Sequence, residues 1–539
     1  MQPRDVSRLE SSAFDLLVVG GGIHGLAIAY EASSRGLITA LIEADDFGSG
    51  ISFNHQKTAH GGLRSLQSMS LGRAREAIRE RRALARIAPW FVQPLPFIVG
   101  TYRSVSKGRL ALRAGFKLDA WLGRHRNDGL ERELHLPPAK LLSRNMTLKL
   151  FPGVRQQELT GGAQWYDYQM VENDRLTFAF AVAADAHGAV LANYVEAFQP
   201  IREGGKVTGI CARDRETGRQ LTIRAAMTVN AAGARAGEIA AMLGAKLSVP
   251  LVAAMNLVTS IAPREVALAA PTATGRMLTL VPWKGRSIVG TAHSHTLATM
   301  ESGASREEIE TFIREANEAF PSLGLSRDHI RLVHWGRVPA AVAAGKPPDL
   351  LGSPVIHNHA RDGMPGATTV VGVKYTTARA VAQRAVDTVA SALGRKIRSS
   401  RTAVAVLPGA GMADHEGLAI ETARRSGIDL SPAVLQRLGA LYAERSAEII
   451  RSMTVRPELG HPLGRHPGAT AAEVVHVIKE EMAVHLADII VRRMGLGATG
   501  HPGKEVLEAC ASIAAAELGW NEDQRLEEIA AVEEIYRVP

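Results

Sequence analysis

Four glycines near the amino terminus have the spacing of a nucleotide-binding turn. An apolar run at 16–19, typical of a strand buried on both faces, is followed by Gly-Gly-Gly-Ile-His-Gly at 20–25. In a G-x-G-x-x-G turn the first glycine permits a tight bend, the second lets the backbone approach a pyrophosphate, and the third lets the next helix pack close to the strand. The N–H groups and positive dipole at that helix terminus attract the anion. We therefore expect a dinucleotide to contact Gly20, Gly22, Ile23, His24 and Gly25.

The elements that must position this turn follow in the order of a βαβ unit. A helix of small residues stops near Gly36, and a second strand at 39–42 ends on Glu43. Glu43 lies 18 residues past Gly25, where a carboxylate can accept hydrogen bonds from the adenosine ribose. A lone glycine pattern could be a bare structural turn. Strand, glycines, helix, strand and acid in register predict dinucleotide binding instead.

A second group of reactive side chains surrounds the glycine pair Gly61-Gly62. The stretch brings together the side chains of Lys57, Thr58, His60 and Arg64. Such a loop suits an anionic or planar ligand. The alternative is a surface loop leading into the arginine-rich helix predicted at about 71–87. Because the loop follows the dinucleotide unit so closely, we favour ligand binding.

Basic residues also recur at helical spacing over 107–126. Three cations stand four residues apart and four apolar residues form a stripe: Arg109, Arg113 and Lys117, with Leu110, Ala114, Leu118 and Trp121. This pattern is typical of a helix lying on a membrane surface. It is equally typical of an ordinary surface helix that covers the core.

The composition restricts the class of protein. At 539 residues the chain should hold two or three domains, and its 46% hydrophobic content suffices for sizeable cores. Two distant cysteines, Cys211 and Cys510, indicate neither a disulfide framework nor a metal site and suit a reducing compartment. We expect no secretory signal in the polar amino-terminal stretch and no membrane-spanning segment. The net charge of +9 suits an anionic membrane face or substrate, and basic residues without aromatic interleaving argue against nucleic acid.

Later segments continue the strand pattern and then change texture. The predicted strands are 190–196, 227–233, 249–261, 277–281 and 287–292. The first contains Val195, and the second ends in the small residues Ala232 and Gly233, which permit close approach to a cofactor. The last three look longer and antiparallel. His293 and His295 form an H-x-H pair without a third ligand, so we expect polar loop residues and no metal site.

A strand-to-helix junction near 368–377 repeats the chemistry of the first one. Gly372 ends the strand, and Tyr375 and Thr376 place hydroxyls at the helix start, beside Lys374. This predicts a second helix N-terminus facing an anion. The return of the βα pattern indicates that a late segment completes the first domain.

Together these stretches resemble the flavin-dependent glycerol-3-phosphate dehydrogenases and their oxidase relatives, from about residue 15 to 538. The motifs that carry the resemblance are 20–25, 57–64, 166–167, 361–362 and 372–377. The H-G-G-L-R and G-x-K-x-T-T blocks within them are specific to that family, whereas the first glycines would fit any flavin oxidoreductase. The helical end at 481–497 looks like the family's C-terminal cap domain.

The resemblance implies an α/β fold with three parts. These are a doubly wound FAD-binding domain at 1–245 and 345–400, an antiparallel-sheet substrate domain at 246–344, and an α-helical C-terminal domain at 406–539. It implies FAD-dependent oxidation of sn-glycerol 3-phosphate, or a similar phosphorylated secondary alcohol, to the ketone by hydride transfer to flavin. Electrons would pass to quinone or oxygen, and the protein would be cytoplasmic and peripheral on the membrane face. Alternatives are an FAD oxidoreductase of another 2-hydroxy acid or amine, and a non-catalytic flavoprotein that serves as a binding partner.

The resemblance also implies roles for individual residues. Arg64 would line the substrate pocket, and Arg361 and Lys374 would hold the phosphate, which guanidinium and ammonium groups suit. His60 is the candidate base or substrate-orienting group, with a neutral packed histidine as the alternative. The catalytic set is then His60, Arg64 and Lys374. The expected cofactor contacts are Gly20, Gly22, Ile23, His24, Gly25, Glu43, Lys57, Thr58, His60, Gly61, Gly62, Val195, Ala232, Gly233, Gly372, Lys374, Tyr375 and Thr376.

Several positions depart from the family's pattern. The family places an arginine immediately before the proline of a G-V-R-P block, whereas residues 336–339 read Gly-Arg-Val-Pro. Arg337 is thus displaced by one, which on a strand turns a side chain to the opposite face. Ser65 replaces a tyrosine, and the G-T-T-D and K-G-S-H blocks are altered at 290–293 and 254–257. Such changes suit a different, larger hydroxylated or phosphorylated substrate.

Overall fold

The computed structural model describes residues 1, 3–63, 70–103, 109–300 and 303–539, without the side chains of 109–111. Within these ranges the strands, numbered in chain order, are β1 Phe14–Val19, β2 Thr39–Ile42, β3 Thr58–Ala59, β4 Val92–Tyr102, β5 Lys140–Leu142, β6 Leu159–Met170, β7 Val190–Ala192, β8 Val195–Glu203, β9 Lys206–Asp214, β10 Gln220–Asn230, β11 Leu251–Thr259, β12 Ala267–Pro271, β13 Met277–Trp283, β14 Arg286–His293, β15 Ile330–Ala341, β16 Asp349–Leu350, β17 Val355–Asn358 and β18 Ala367–Val371.

The α-helices of the same ranges are α1 Ile23–Ser34, α2 Leu71–Ile87, α3 Arg109–Leu122, α4 Arg144–Leu150, α5 Asn173–Ala186, α6 Ala236–Met242, α7 Arg306–Ala319, α8 Ala378–Leu393, α9 His415–Ser426, α10 Pro432–Tyr442, α11 Ser446–Val455, α12 Ala471–Glu480, α13 Lys504–Leu518 and α14 Glu522–Ile535. A short π-helix covers Asp488–Arg493. No described helix is long and apolar enough to cross a membrane.

The first sheet is parallel at its centre and carries the glycine turn. Its strand order is β17-β18-β10-β1-β2-β7, and only β17 in this row runs antiparallel to its neighbour. Helices α1, α5 and α8 pack on one face, while α6 and the β8–β9 hairpin cover the other. Cover on both faces is the reason that β1 reads as a continuous apolar run. The carboxyl ends of the parallel strands meet at one edge, here called the cofactor edge.

The second sheet is almost entirely antiparallel. Its order is β16-β15-β11-β14-β13-β12-β4-β6-β3, with β5 paired to β6 and the parallel pair β12–β4 as the exception. Helix α7 packs against one face through Ile309, Phe312 and Ala316. Strands β3 to β6 come from residues 58–170, so the boundary expected at 245/246 does not separate the strands of the two sheets. The three-way division of the chain at the expected residues stays a prediction.

The carboxyl-terminal helices pack together around an apolar core that they share with residues of the second sheet, among them Val258, Trp283 and Ile288. Buried ion pairs join this part to the first sheet's helices and loops. Asp46 accepts hydrogen bonds from Arg493 at 2.7 and 2.8 Å and from Arg492 at 2.6 Å, and Arg175 pairs with Glu481 at 2.6 Å. Because burying a charge without its partner costs free energy of folding, these pairs hold the helical part against the loops and helices around the first sheet. The predicted fold class, a doubly wound α/β domain with an antiparallel sheet and a helical end, is confirmed.

Candidate active site

The glycine turn follows β1 at the cofactor edge and leaves no room for side chains. Gly20 has φ +110°, and a Cβ there would lie 2.7 Å from the carbonyl oxygen of Ala231. A Cβ on Gly25 would lie 1.8 Å from the carbonyl oxygen of Gly20. Both distances are far below van der Waals contact, so only glycine fits. Gly22 occupies the N-cap of α1 without a side-chain cap, which leaves the helix terminus approachable by a ligand.

Polar groups around this helix terminus suit a nucleotide. The Ile23 N–H donates to Ser52 Oγ at 2.9 Å, and the Gly21 N–H donates to the Glu43 carboxylate at 2.5 Å. Burial raises the pKa of Glu43, opposed by the N–H groups of Asp45 and Gly21. Glu43 therefore lies directly beside the turn, as its spacing predicts.

The other small strand ends converge on the same edge. Val195 donates its N–H to the Glu43 carbonyl at 2.7 Å, and the strand that ends at Asn230 runs on into Ala232 and Gly233 beside Gly20. A Cβ on Gly372 would lie 2.2 Å from the His24 ring. Sequence positions up to 352 apart thus meet at one edge because five strands of the sheet run parallel.

The His24 ring packs against Gly372, the residue that follows β18. Burial lowers the pKa of His24 to about 4, and its Nε2 has no hydrogen-bond partner among the described residues. A neutral imidazole with an unused nitrogen, a helix N-terminus and a glycine-walled cradle together fit a dinucleotide cofactor. Tyr375 and Thr376 begin the helix that follows; the Tyr375 hydroxyl contacts Thr177 Oγ1 at 2.9 Å, and Thr376 is buried.

Lys57 and Thr58, in the loop after the glycine turn, are both buried. Lys57 is completely buried, with its ammonium 4.3 Å from the Phe53 ring centre and 5.0 Å from that of Trp283, and burial lowers its pKa to about 8. Its ammonium therefore contacts protein groups rather than open surface. Thr58 lies in β3 and is also buried.

His60 is oriented by a buried carboxylate. Its Nδ1 lies 3.0 Å from Asp167 Oδ2, while Asp167 Oδ1 accepts the Gly61 N–H at 2.7 Å and a hydrogen bond from Arg81. The His60 side chain remains half exposed. Burial alone would raise the pKa of Asp167, but the hydrogen bond from His60 and the charge of Arg81 hold it below its usual range. A base–orienter pair of this kind leaves the second ring nitrogen for substrate chemistry.

Gly62 is required by the packing of this loop, and Gly61 lies directly against the Arg81 side chain. A Cβ on Gly61 would lie 2.2 Å from the Arg81 guanidinium, and one on Gly62, which has φ +79°, would lie 2.8 Å from Ala77. The glycine pair thus lets the loop lie against α2 and lets Arg81 reach Asp167. Arg64 lies outside the described residues.

The strand register separates Arg361 from Lys374. β17 runs antiparallel to β18 with Asn358 beside Thr368, so the turn His359–Asp362 lies at the edge where β18 begins. Lys374 follows the end of β18, at the cofactor edge. Five residues of strand put about 13 Å between those edges. The structure therefore places Arg361 away from the cofactor edge and does not bring it together with Lys374 at one end of β18.

The displaced arginine of the second sheet turns away from the cofactor domain. A Cβ on Gly336 would lie 2.2 Å from Ile51, so Gly336 faces the loop after the glycine turn. Arg337 lies on the opposite face, where it donates to the Met300 carbonyl and stacks over Trp335 at 5.2 Å. A one-residue step therefore has the consequence expected of a strand.

Sequence reasoning missed three groups at the site. It gave no role to Asp167, although the residue lies in one of the motifs, and it did not single out Ser52 or Arg81. Asp167 lies 107 residues from His60, and only the pairing of β3 with β6 brings the two together. For Ser52 a signal existed, since a helix N-terminus without a side-chain cap needs another hydrogen-bond acceptor.

Comparison with known proteins places this site in a family. A family model described as FAD dependent oxidoreductase matches residues 15–388. The chain belongs to this FAD-dependent oxidoreductase family. A second model, described as the C-terminal domain of alpha-glycerophosphate oxidase, matches residues 400–525. Both matches agree with the predicted cofactor, FAD, and with the predicted class of enzyme.

Individual relatives of this FAD-dependent oxidoreductase cover nearly its full length. It is 30% identical to a glycerol-3-phosphate dehydrogenase of Synechocystis, over 97% of this chain and 96% of the relative. It is 31% identical to glycerol-3-phosphate dehydrogenase 2 of Mycobacterium tuberculosis, over 95% and 86%. The structure of the glycerol-3-phosphate dehydrogenase from Bacillus halodurans, complexed with FAD, shares the fold with a TM-score of 0.77 at 24% identity, covering 98% of this chain and 96% of that one.

Proposed function

We propose that this oxidoreductase converts sn-glycerol 3-phosphate, or a similar phosphorylated secondary alcohol, to the ketone. The observation that carries the proposal is the likeness, over almost the whole chain, to enzymes named glycerol-3-phosphate dehydrogenase. Bound FAD supplies the two-electron chemistry by accepting hydride from the carbon that bears the hydroxyl. The residues of the chain must then bind the anion, orient the alcohol and remove its proton.

His60 is the proposed base. Its Nδ1 is engaged by the buried Asp167, so Nε2 is the nitrogen available to take the hydroxyl proton as the carbon–oxygen double bond forms. Asp167 would stabilise the imidazolium that results and hold the ring in one orientation. Arg81 and the Gly61 N–H support this pairing because they hold Asp167 ionised.

Lys374 and Arg64 are the proposed anion-binding residues. Lys374 follows β18 at the cofactor edge and is exposed. Arg64 follows the glycine pair in sequence by two positions. An ammonium and a guanidinium suit a phosphate group, but with Arg361 and Arg337 both turned elsewhere the expected number of cations is reduced.

The smaller number of cations at the anion site favours a second candidate, the oxidation of another 2-hydroxy acid or an amine. A carboxylate carries less charge than a phosphate and needs fewer cations to bind it. The altered blocks at 254–257 and 290–293 lie in β11 and β14, where Asn256 Oδ1 accepts a hydrogen bond from Thr291 at 2.7 Å. The neutral pair of Asn256 and Thr291 in these altered blocks suits a less highly charged substrate.

One experiment distinguishes the two candidates. The holoenzyme is mixed without oxygen with sn-glycerol 3-phosphate, glycerol, lactate, glycolate and glycine, and the flavin absorbance is followed. The proposal expects fast bleaching by the phosphorylated alcohol alone. Bleaching by a hydroxy acid or by glycine would support the second candidate. No bleaching by sn-glycerol 3-phosphate, in protein with full FAD content, would refute its oxidation by this enzyme.

For the electron acceptor we propose quinone or oxygen, with the protein in the cytoplasm and peripheral on the membrane face. Support for the membrane contact comes from α3, which buries Phe116 and Asp119 and leaves Arg113, Lys117 and Trp121 exposed. The side of the helix expected to cover the core thus faces solvent at Trp121, which is 54% exposed. Aromatic and basic side chains on one exposed surface suit anionic lipid.

Liposome binding tests the membrane proposal. At low salt the protein should bind vesicles rich in phosphatidylglycerol, salt should release it, and Trp121→Ser should weaken binding. Leu526→Ser is the matched control, because Leu526 is similarly exposed, at 50%, on another helix, α14. Equal losses in both variants, or no binding at low salt, would contradict the proposal.

A further inference from the structure

Two histidines and an aspartate converge at the edge of the first sheet opposite the cofactor edge. His357 lies in β17, and His359 and Asp362 lie in the short 3₁₀ turn that follows it. Asp362 Oδ2 is 2.6 Å from His357 Nε2 and 3.2 Å from His359 Nδ1. We propose that these three residues, the 357–362 cluster, bind a divalent transition-metal ion, of which Zn²⁺ is the best match.

The donor set and its geometry support this proposal. The three ligand atoms all lie within 4.8 Å of one another, and among the described residues no other group of three such side chains converges in this way. Zinc takes imidazole nitrogen and carboxylate oxygen at about 2.0–2.2 Å in tetrahedral sites, which places ligand atoms roughly 3.4 Å apart. Modest side-chain rotations therefore suffice. His357 and Asp362 are partly exposed, which leaves water access to a fourth position.

His359 already has the support that a metal-binding histidine requires. Its side chain is completely buried, and its Nε2 lies 2.8 Å from Thr369 Oγ1. Thr369 Oγ1 is itself contacted by Asn230 Nδ2 at 3.2 Å. A ligating histidine ordinarily donates its other ring N–H to a fixed oxygen, which sets the ring orientation. Here that arrangement directs Nδ1 toward Asp362 and His357.

The backbone explains why the spacing H-x-H-x-x-D brings the ligands together. His357 lies next to the last residue of β17 and His359 opens the turn that follows, so the change from strand to turn brings the two rings side by side. The turn then closes on Gly363, which has φ +78° and whose N–H bonds back to Ala360. This return places Asp362 against both rings, which are 4.8 Å apart.

The position of the cluster predicts a structural role. A bound ion would tie the end of β17 to the turn that leads into β18, the strand whose far end carries Gly372. The cluster lies about one strand length from the cofactor edge, so flavin reduction should not need the metal. Failure of this inference is therefore distinct from failure of the proposed oxidation.

Zinc binding to the holoenzyme tests the inference. After dialysis against a chelator, Zn²⁺ uptake is measured by equilibrium dialysis and elemental analysis, and the melting temperature is followed with and without Zn²⁺. The wild-type chain should bind one Zn²⁺ and melt at a higher temperature when loaded. His357→Gln and Asp362→Asn should each weaken Zn²⁺ binding at least tenfold and abolish the stabilisation, with FAD content unchanged.

The second H-x-H pair supplies a matched control. His293→Gln changes a histidine that is also two residues from another and near a carboxylate, with His293 Nε2 3.5 Å from Asp349 Oδ1. It should bind Zn²⁺ as the wild type does. Wild-type protein without stoichiometric Zn²⁺, or with Zn²⁺ that survives both His357→Gln and Asp362→Asn, would overturn the proposal. A zinc-edge anomalous signal at any other location would do the same.

Discussion

Asp167→Asn tests the proposed base most selectively, because it alters charge while keeping side-chain shape. One carboxylate oxygen accepts the Gly61 N–H and a hydrogen bond from Arg81, and the other faces His60 Nδ1 at 3.0 Å. An amide keeps a single acceptor oxygen. In one orientation of the asparagine amide, its NH₂ group faces His60; in the other, it faces the donors from Arg81 and Gly61. In both orientations Arg81 loses its buried negative partner.

The expected loss follows from that geometry. A hydrogen bond that involves a charged group contributes about 1.5–3 kcal/mol, and about 1.4 kcal/mol corresponds to a factor of ten. We expect kcat/KM for the phosphorylated substrate to fall by about 10- to 150-fold. Because Asp167 also holds Gly61, an expected cofactor contact, kcat/KM is expressed per bound flavin. Because Asp167 acts through His60, adding Asp167→Asn to a His60→Gln variant should cost little more.

Anaerobic stopped-flow flavin reduction is the assay, with FAD content and melting temperature measured in parallel. Asp119→Asn is the control, because Asp119 is also buried and pairs with an arginine, Arg126, at 2.9 Å, but lies on α3. It should leave the reduction rate unchanged. Wild-type reduction in Asp167→Asn, or losses that multiply fully in the double variant, would refute the reasoning.

Three further predictions concern the cradle, the anion site and the domain contacts. Gly25→Ala should abolish FAD binding, because its Cβ would lie 1.8 Å from a carbonyl oxygen. Gly72→Ala, which has open space around the added Cβ, should retain FAD. Bound flavin in purified Gly25→Ala would contradict the prediction. Lys374→Met should lower kcat/KM for a phosphorylated substrate about 10- to 1,000-fold. Arg361→Met should leave kcat/KM unchanged, because of these two residues only Lys374 lies at the cofactor edge. Steady-state kinetics of both variants measures the difference. Burial by itself would raise the pKa of Asp46, but Arg493 and Arg492 hold it at about 2, below its ordinary value. The stabilisation that Asp46 supplies is therefore present above about pH 4 and is lost as the pH falls toward 2. The difference in melting temperature between wild type and Asp46→Asn should be large at pH 7 and shrink on acidification.

The features that local physics determines were predictable from the sequence. The glycine turn, its strand and Glu43 could be placed because backbone strain and strand periodicity act over a few residues. The buried run of β1 likewise indicated a parallel sheet covered on both faces. These parts of the fold and of the cofactor edge agree with the structure.

Features that depend on distant strand pairing could not be placed in this way. Arg361 matched a two-residue motif, but only the antiparallel register of β17 shows at which edge it lies. The pairing of β3 with β6 brings Asp167 to His60, and the pairing of β4 with β6 and β12 moves much of 58–170 into the second sheet. Helix α3 has a periodic pattern, yet which side it buries depends on neighbours far along the chain.

Isotope substitution at the reacting carbon tests the central claim most directly. The holoenzyme is mixed anaerobically with sn-glycerol 3-phosphate that carries either hydrogen or deuterium at C2, and flavin absorbance and the ketone product are measured together. The proposal predicts one ketone for each flavin reduced, with slower reduction by the deuterated substrate, because the C2–H bond breaks as hydride. A flavin that stays oxidised with saturating sn-glycerol 3-phosphate, in protein with full FAD content, would contradict the proposed function.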